Sequence, residues 1–317
     1  NIILAAYKGS ETYYRITLKM AVEVPSAVLT VTSFADLQTL QSGINSGTVF
    51  NYKGTAVPAG GEGTTFQVTT DFSFPANHNW TPIGSEVNPF KGTFDGNGKT
   101  LTGMSQSGQN ITGLFGYVTG AIKNLTLAEV KITGATYSGN ICAFLRGGAV
   151  SNCKTSGTVK GGSSQYHTHK YIGGIVGLAS QGATIKNCYN FADVTSSDGV
   201  YASAAGIVAD CSSNSYVDTC INAGNISMAE FVAGICANGG NIRCCINYGD
   251  ITGVALSHAV AGISIYPSGC SYISKVTNTV TGCVNSGKVS APVMSASCSV
   301  AGVSTGGSAT NCINAGC

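Results

Sequence analysis

The chain has 317 residues, 43 of them glycine and 13 cysteine, with 9% charged residues and a formal net charge of +2. Glycine is about twice its usual share and charge about a third of it, which with a positive mean hydropathy excludes a disordered chain. No run of Lys or Arg marks a nucleic-acid or anionic-membrane partner, and no apolar stretch approaches the ~20 residues of a membrane span.

The absent initiator Met and signal peptide predict a processed or truncated product. The first stretch, "LAAYKGSETYYRITLKMAVEV", reads as a β-hairpin turning at Lys8-Gly9-Ser10. Residues 1–30 are expected to be a cap or the tail of a preceding domain, and residues 31–317 one further domain. Next, "TSFADLQTLQSGINSG" carries a helix signature. Ser33 stands at the N-cap, Asp36 in the first turn, and Phe34, Leu37, Leu40 and Ile44 share one face. This predicts a short helix over residues 33–44 that caps whatever is built behind it.

Residues 96–100 spell "GNGKT", the tail of a P-loop. That pattern needs a glycine five residues before Gly98, where Thr93 stands. The following "TLTGM" is β-like, whereas a phosphate cradle opens a helix. The stretch is expected to be a turn between strands holding Phe94 and Leu101. A calcium loop fails as well, because Lys99 stands where an oxygen ligand is needed and no closing Glu follows.

From residue 112 the chain repeats itself, which decides the fold class. One unit recurs as "NCKTSGTV" from Asn152, "NCYNFADV" from Asn187, "TCINAGNI" from Thr219, "CCINYGDI" from Cys244, "GCVNSGKV" from Gly282 and "NCINAGC" from Asn311. A second unit precedes each: "GNIC", "GGIV", "AGIV", "AGIC", "AGIS" and "AGVS". Neither a leucine-rich frame nor a 3.6-residue period is present. Short strands that cannot bury their own face, stacked rung on rung, predict an all-β protein: a right-handed parallel β-helix, or solenoid, over residues 45–317.

In that geometry Cys153, Cys188, Cys220, Cys245, Cys283 and Cys312 form one inward column of buried, reduced thiols. Rungs ~4.8 Å apart keep their Cβ atoms too distant for disulfides, and a linear column is not a tetrahedral metal site. Asn190, Asn222, Asn247, Asn285 and Asn314 form a second column whose amides can bond along the axis.

The stretch "WTPIGS…NPFKGTFDGNGKTLTGM…ITGLFGYVTGAIKNLTL" resembles the opening of GLUG-motif proteins. The motif is literal at Gly113-Leu114-Phe115-Gly116, and "GIVG" at 174–177 is a second copy. The resemblance runs over roughly residues 31–317. It implies a cell-surface or secreted, adhesin-like protein, commonly from gut Bacteroidetes, either anchored to the outer membrane or released. Residues 1–25 are faintly similar to the last strands of a fimbrillin-type domain. Some GLUG proteins are IgA-cleaving metalloproteases, but zinc peptidase chemistry uses His-Glu-x-x-His. None of His78, His167, His169 and His258 is followed by Glu.

Sugar cleavage by a lyase or glycoside hydrolase is the alternative reading of a β-helix, and hydrolysis wants two carboxylates ~5–9.5 Å apart. Asp193 and Asp250 share a repeat position with Asn225 and Lys288, the pattern of a solvated turn. Asp210 and Asp218 are read as loop residues without a basic partner. The favoured reading is therefore a non-catalytic binding protein for a glycan or a host or partner protein, with no cofactor or metal. The longest insertions, 160–172, 196–204, 253–260 and 291–300, fall at one point of the repeat and should emerge along one side. They bring Tyr166, His167, His169, Lys170 and Tyr201 into one candidate ligand-binding neighbourhood, where tyrosine offers a flat face and a hydroxyl.

Overall fold

The computed structural model describes residues 2–8, 11–18, 27–162, 169–197, 201–254, 257–265, 279–291, 299–305 and 308–316. Ile2–Lys8 and Glu11–Leu18 pair antiparallel, as the hairpin reading expects. Parallel pairing begins with Ala27–Val31 against Thr64–Val68 and continues through every later rung. The solenoid thus takes in its first strand before the helix. Within the stretch expected to be parallel throughout, Phe50–Tyr52 and Thr55–Val57 form an antiparallel ribbon. Its tight turn holds Lys53 and Gly54 at φ 49° and 85°, the twist a two-residue hairpin prefers.

The helix runs Phe34–Ser46. Ser33 Oγ accepts the Asp36 N–H, and Gly47 closes it in the left-handed conformation. Leu37, Leu40 and Ile44 have no exposure and join the same core as Phe66 and Trp80. The amphipathic stripe read from the sequence therefore lies on the end of the solenoid.

Each coil contributes short strands to several stacked faces. On one, Phe66, Phe94, Ile122, Val150, Ile185, Val217, Ile242 and Val280 stand in register, each at most 1% exposed. The chain then turns a corner through one residue in the left-handed conformation. Asn124, Asn152, Asn187, Thr219, Cys244, Gly282 and Asn311 occupy it with φ of 50–62°. Asparagine tolerates this region better than most side chains, which accounts for the Asn that so often precedes the column cysteine. The GNGKT turn is another tight bend, with Asn97 and Gly98 at positive φ and Lys99 N–H on the Gly96 carbonyl.

Past the corner comes the cysteine column. Cys153, Cys188, Cys220, Cys245 and Cys283 are buried free thiols, and Cys312, on the last described rung, is half-buried. Each Sγ lies 3.1–3.4 Å from the carbonyl two residues back, as Cys220 does on Asp218. The thiols of Cys220, Cys245 and Cys283 also accept the backbone N–H of the cysteine one rung earlier. A small apolar side chain with a weak donor and acceptor suits a corner that has backbone groups to satisfy.

Two residues on, the asparagine ladder is continuous. The Nδ2 of Asn190, Asn222, Asn247 and Asn285 donates to the Oδ1 of the next rung at 2.7–2.8 Å, and also to the carbonyl two residues ahead. Earlier rungs carry Leu101, Leu127 and Thr155 in this position. The glycine of the second unit is the ladder's counterpart. A Cβ on Gly206 or Gly234 would collide with the Asn222 or Asn247 side chain. In one rung the sizes are exchanged. Asn140 fills the glycine position, and the smaller Thr155 stands in the asparagine column. Asn140 is fully buried, and neither of its amide atoms has a partner among the described residues.

Candidate functional site

Two surfaces can meet a ligand, and they adjoin. The first is the edge from which the insertions emerge. Their roots lie between the column Val159, Val194, Ile226, Ile251 and Val289 and the column Ile172, Ala204, Val232 and Val260, so they share one side of the solenoid. Tyr166 and His167 lie outside the described residues. His169, Lys170 and Tyr201 are brought together on neighbouring rungs, where Lys170 N–H donates to the Tyr201 carbonyl at 2.6 Å.

Their side chains are less open than a binding loop suggests. Lys170 is 1% exposed. The His169 ring lies 2.8 Å from Ser203 Oγ through Nε2 and packs on Tyr171 and Phe231. Burial, helped by the Lys170 charge, pushes His169 down to about 4, so it is neutral at physiological pH. Tyr201 stays half-exposed at φ 48°.

The second surface is a groove next to that edge. The glycine-rich bend of each second unit folds two successive strands toward each other, and their outward side chains face across it. One column holds Ile111, Tyr137, Tyr171, Ser203 and Phe231. The other holds Tyr117, Phe144, Leu178 and Asp210. The Tyr137 and Phe144 ring centroids lie 4.1 Å apart, joining the two columns. Along the axis Tyr117 stacks on Phe144 at 4.3 Å, and Tyr137 on Tyr171 at 5.4 Å. The Arg146 guanidinium lies 5.0 and 5.4 Å from the Tyr117 and Phe144 centroids and bonds Glu86 at 3.1 Å.

Asp210 sits deep in this groove with part of its surface open. The Asn238 amide donates to its Oδ2 at 2.5 Å. Burial pushes the Asp210 carboxyl up to about 6 against that hydrogen bond. Burial and the Asp210 charge together raise the Tyr137 and Tyr171 hydroxyls. Read from sequence as loop residues without a basic partner, Asp210 and Asp218 are both on the strand Val208–Asp218, and Asp218 pairs with Lys186 and Arg243. A signal for the groove was present: Tyr137, Tyr171 and Phe231 each stand two residues before the Gly or Ala that opens a bend.

The shared-position aspartates do something else. Asp193 Oδ1 accepts the Asn225 N–H, Asn225 Oδ1 the Asp250 N–H, and Asp250 Oδ1 the Lys288 N–H, at 2.9–3.1 Å. Each caps the backbone of the next rung. Among the described residues no group of three His, Cys, Asp or Glu is arranged to hold a metal ion, and no helix is long and apolar enough to cross a membrane.

Comparison with known proteins agrees with this architecture. The model of the GLUG motif matches residues 168–195, the strands that run from His169 past the cysteine corner. A stretch of 103 residues is 35% identical to halomucin of Haloquadratum walsbyi, covering 31% of this chain and 1% of that protein. Another 82 residues are 37% identical to an Evansella cellulosilytica protein described as a candidate Gly-rich membrane protein, covering 23% of this chain and 10% of that one. The chain thus spans a small part of the curated relatives it matches. A solved Bacteroides ovatus protein, described as a candidate immunoglobulin A1 protease, superposes with a TM-score of 0.62 over 87% of this chain and 83% of its own. At 18% identity the likeness is one of fold.

Proposed function

We propose that this GLUG-motif solenoid is a non-catalytic, adhesin-like binding protein of the cell surface or the secreted fraction, whose ligand is a glycan or a host or partner protein. The observation that carries the reading is the alignment of the insertion roots on one edge, with His169, Lys170 and Tyr201 at their base. A rigid stack presenting variable segments along one side is the usual way a solenoid builds a binding surface. The membrane description of one relative and the name halomucin of the other support a surface setting.

The aspartates that a glycosidase reading would use each place one carboxylate oxygen on a backbone N–H of the next rung. That role accounts for the aspartates at this repeat position by structure alone, and Asn225 and Lys288 stand at the same position on the other rungs. The test is a glycan-array and host-glycoprotein binding screen beside a reducing-sugar release assay. Selective binding weakened by Tyr166→Ala with Tyr201→Ala is expected. Binding that survives both changes would refute the edge, and sugar release would move the assignment to an enzyme.

A further inference from the structure

We propose that Asp210, with the stacked rings of Tyr137 and Tyr171, forms a receptor for an arginine side chain of a partner protein. This rests on the binding-protein reading above and names the chemistry of one contact. The groove contains its own precedent. At the Tyr117 end, two stacked rings and the Glu86 carboxylate hold the guanidinium of Arg146. Farther along the same two columns the arrangement recurs: a stacked ring pair, Tyr137 and Tyr171, and a carboxylate, Asp210. Here, among the described residues, no ion pair includes Asp210.

The chemistry favours a guanidinium over a neutral ligand. A carboxylate taken out of water without a counter-charge is costly, and an opposite charge within reach recovers most of that cost. The raised carboxyl of Asp210 is the mark of that uncompensated charge. A guanidinium also stacks on aromatic faces and presents a fork of donors that fits a carboxylate. Asn238, 2% exposed, fixes one carboxylate oxygen, and its own amide oxygen has no partner among the described residues. Because the groove borders the insertion edge, a partner docked there can place one arginine in it.

The test titrates the full chain with acetyl-Gly-Arg-Gly-amide, its citrulline counterpart and glucosamine, read by calorimetry and, for millimolar binding, by saturation-transfer NMR. The arginine peptide should bind at least tenfold tighter than the citrulline peptide. That preference should vanish in Asp210→Asn, which keeps an acceptor for Asn238, and fall at least fivefold in Tyr171→Leu. Thermal melts of both variants check that they are folded. Equal or absent binding of the two peptides, or a preference intact in Asp210→Asn, overturns the proposal. Tighter binding of glucosamine than of the arginine peptide overturns the choice of a protein partner. A positive glycan or glycoprotein screen that Asp210→Asn leaves unchanged would remove this site while the binding function stands. A negative screen removes the function and leaves the peptide result to be read by itself.

Discussion

Asp210 and Asn222 show how differently two buried polar side chains act on stability. The carboxyl of Asp210 titrates at about 6 in the folded chain against a reference of 3.8. Between those values the folded state binds a proton that the unfolded chain does not. Stability from this group therefore rises as pH falls from 6 towards 4, and at pH 7 the charged form costs at most about 3 kcal/mol. Asp210→Asn should be more stable than the parent at pH 7 and should lose that pH dependence, as urea unfolding at pH 4.5, 6 and 7.5 would show. Asn222 works in the opposite sense. Its amide accepts from Asn190 and donates to Asn247 and to the Gly224 carbonyl. Asn222→Ala strands all three groups inside the core and should cost about 2–4 kcal/mol, measured by the same unfolding curves. Cys220→Ser should be mild. The hydroxyl inherits the Asp218 carbonyl as acceptor, so about 1 kcal/mol or less is expected.

At the scale of the element, the column is the unit that makes sense of the repeats. The cysteine, the asparagine two residues on and the glycine two further were visible as a spacing, and the structure shows they serve one corner. The thiol caps the turn, the amide ties rung to rung, and glycine keeps a Cβ out of the preceding rung's backbone, as at Gly249 against Gly224. Gly234→Ala should cost at least about 2 kcal/mol by thermal unfolding, because its Cβ would meet both the Asn247 side chain and the Gly262 carbonyl. Accessibility of the thiols follows the same geometry. Cys244, at the outward left-handed corner, is exposed, while its neighbour Cys245 is buried. Brief iodoacetamide labelling followed by peptide mapping should modify Cys244 and spare Cys153, Cys188, Cys220, Cys245 and Cys283. Burial also raises the Cys220 thiol, which lowers the reactive thiolate fraction. Equal labelling of Cys244 and Cys245 in the folded protein would contradict the column.

For the whole molecule, stability of a stacked fold is a sum of rungs and of the contacts between them, with the ends as its weak points. The helix Phe34–Ser46 covers one end with Leu37, Leu40 and Ile44. Leu40→Ala should cost about 2–5 kcal/mol, and hydrogen exchange should show the loss concentrated in Ala27–Val31 and Thr64–Val68 rather than spread over the solenoid. The parallel stack and the inward cysteine and asparagine columns were legible in the chain because each repeats the same local requirement at every rung, and the capping helix because its N-cap and apolar face are local signals. A local rule, repeated, is a pattern in one dimension. The N-terminal boundary of the parallel pairing and the ribbon at Phe50–Val57 were not legible, because neither carries the repeat. Nor was the groove. Tyr137 and Phe144 face each other across the bend of one coil, and Asp210 stands two coils later, brought into the same columns by parallel stacking although it is 66 to 73 positions away in the chain. Their proximity is set by register and by the fold of the bend. The partial burial of His169, expected to face a ligand, was decided in the same way: Ser203 and Phe231, from the next two rungs, pack against its ring.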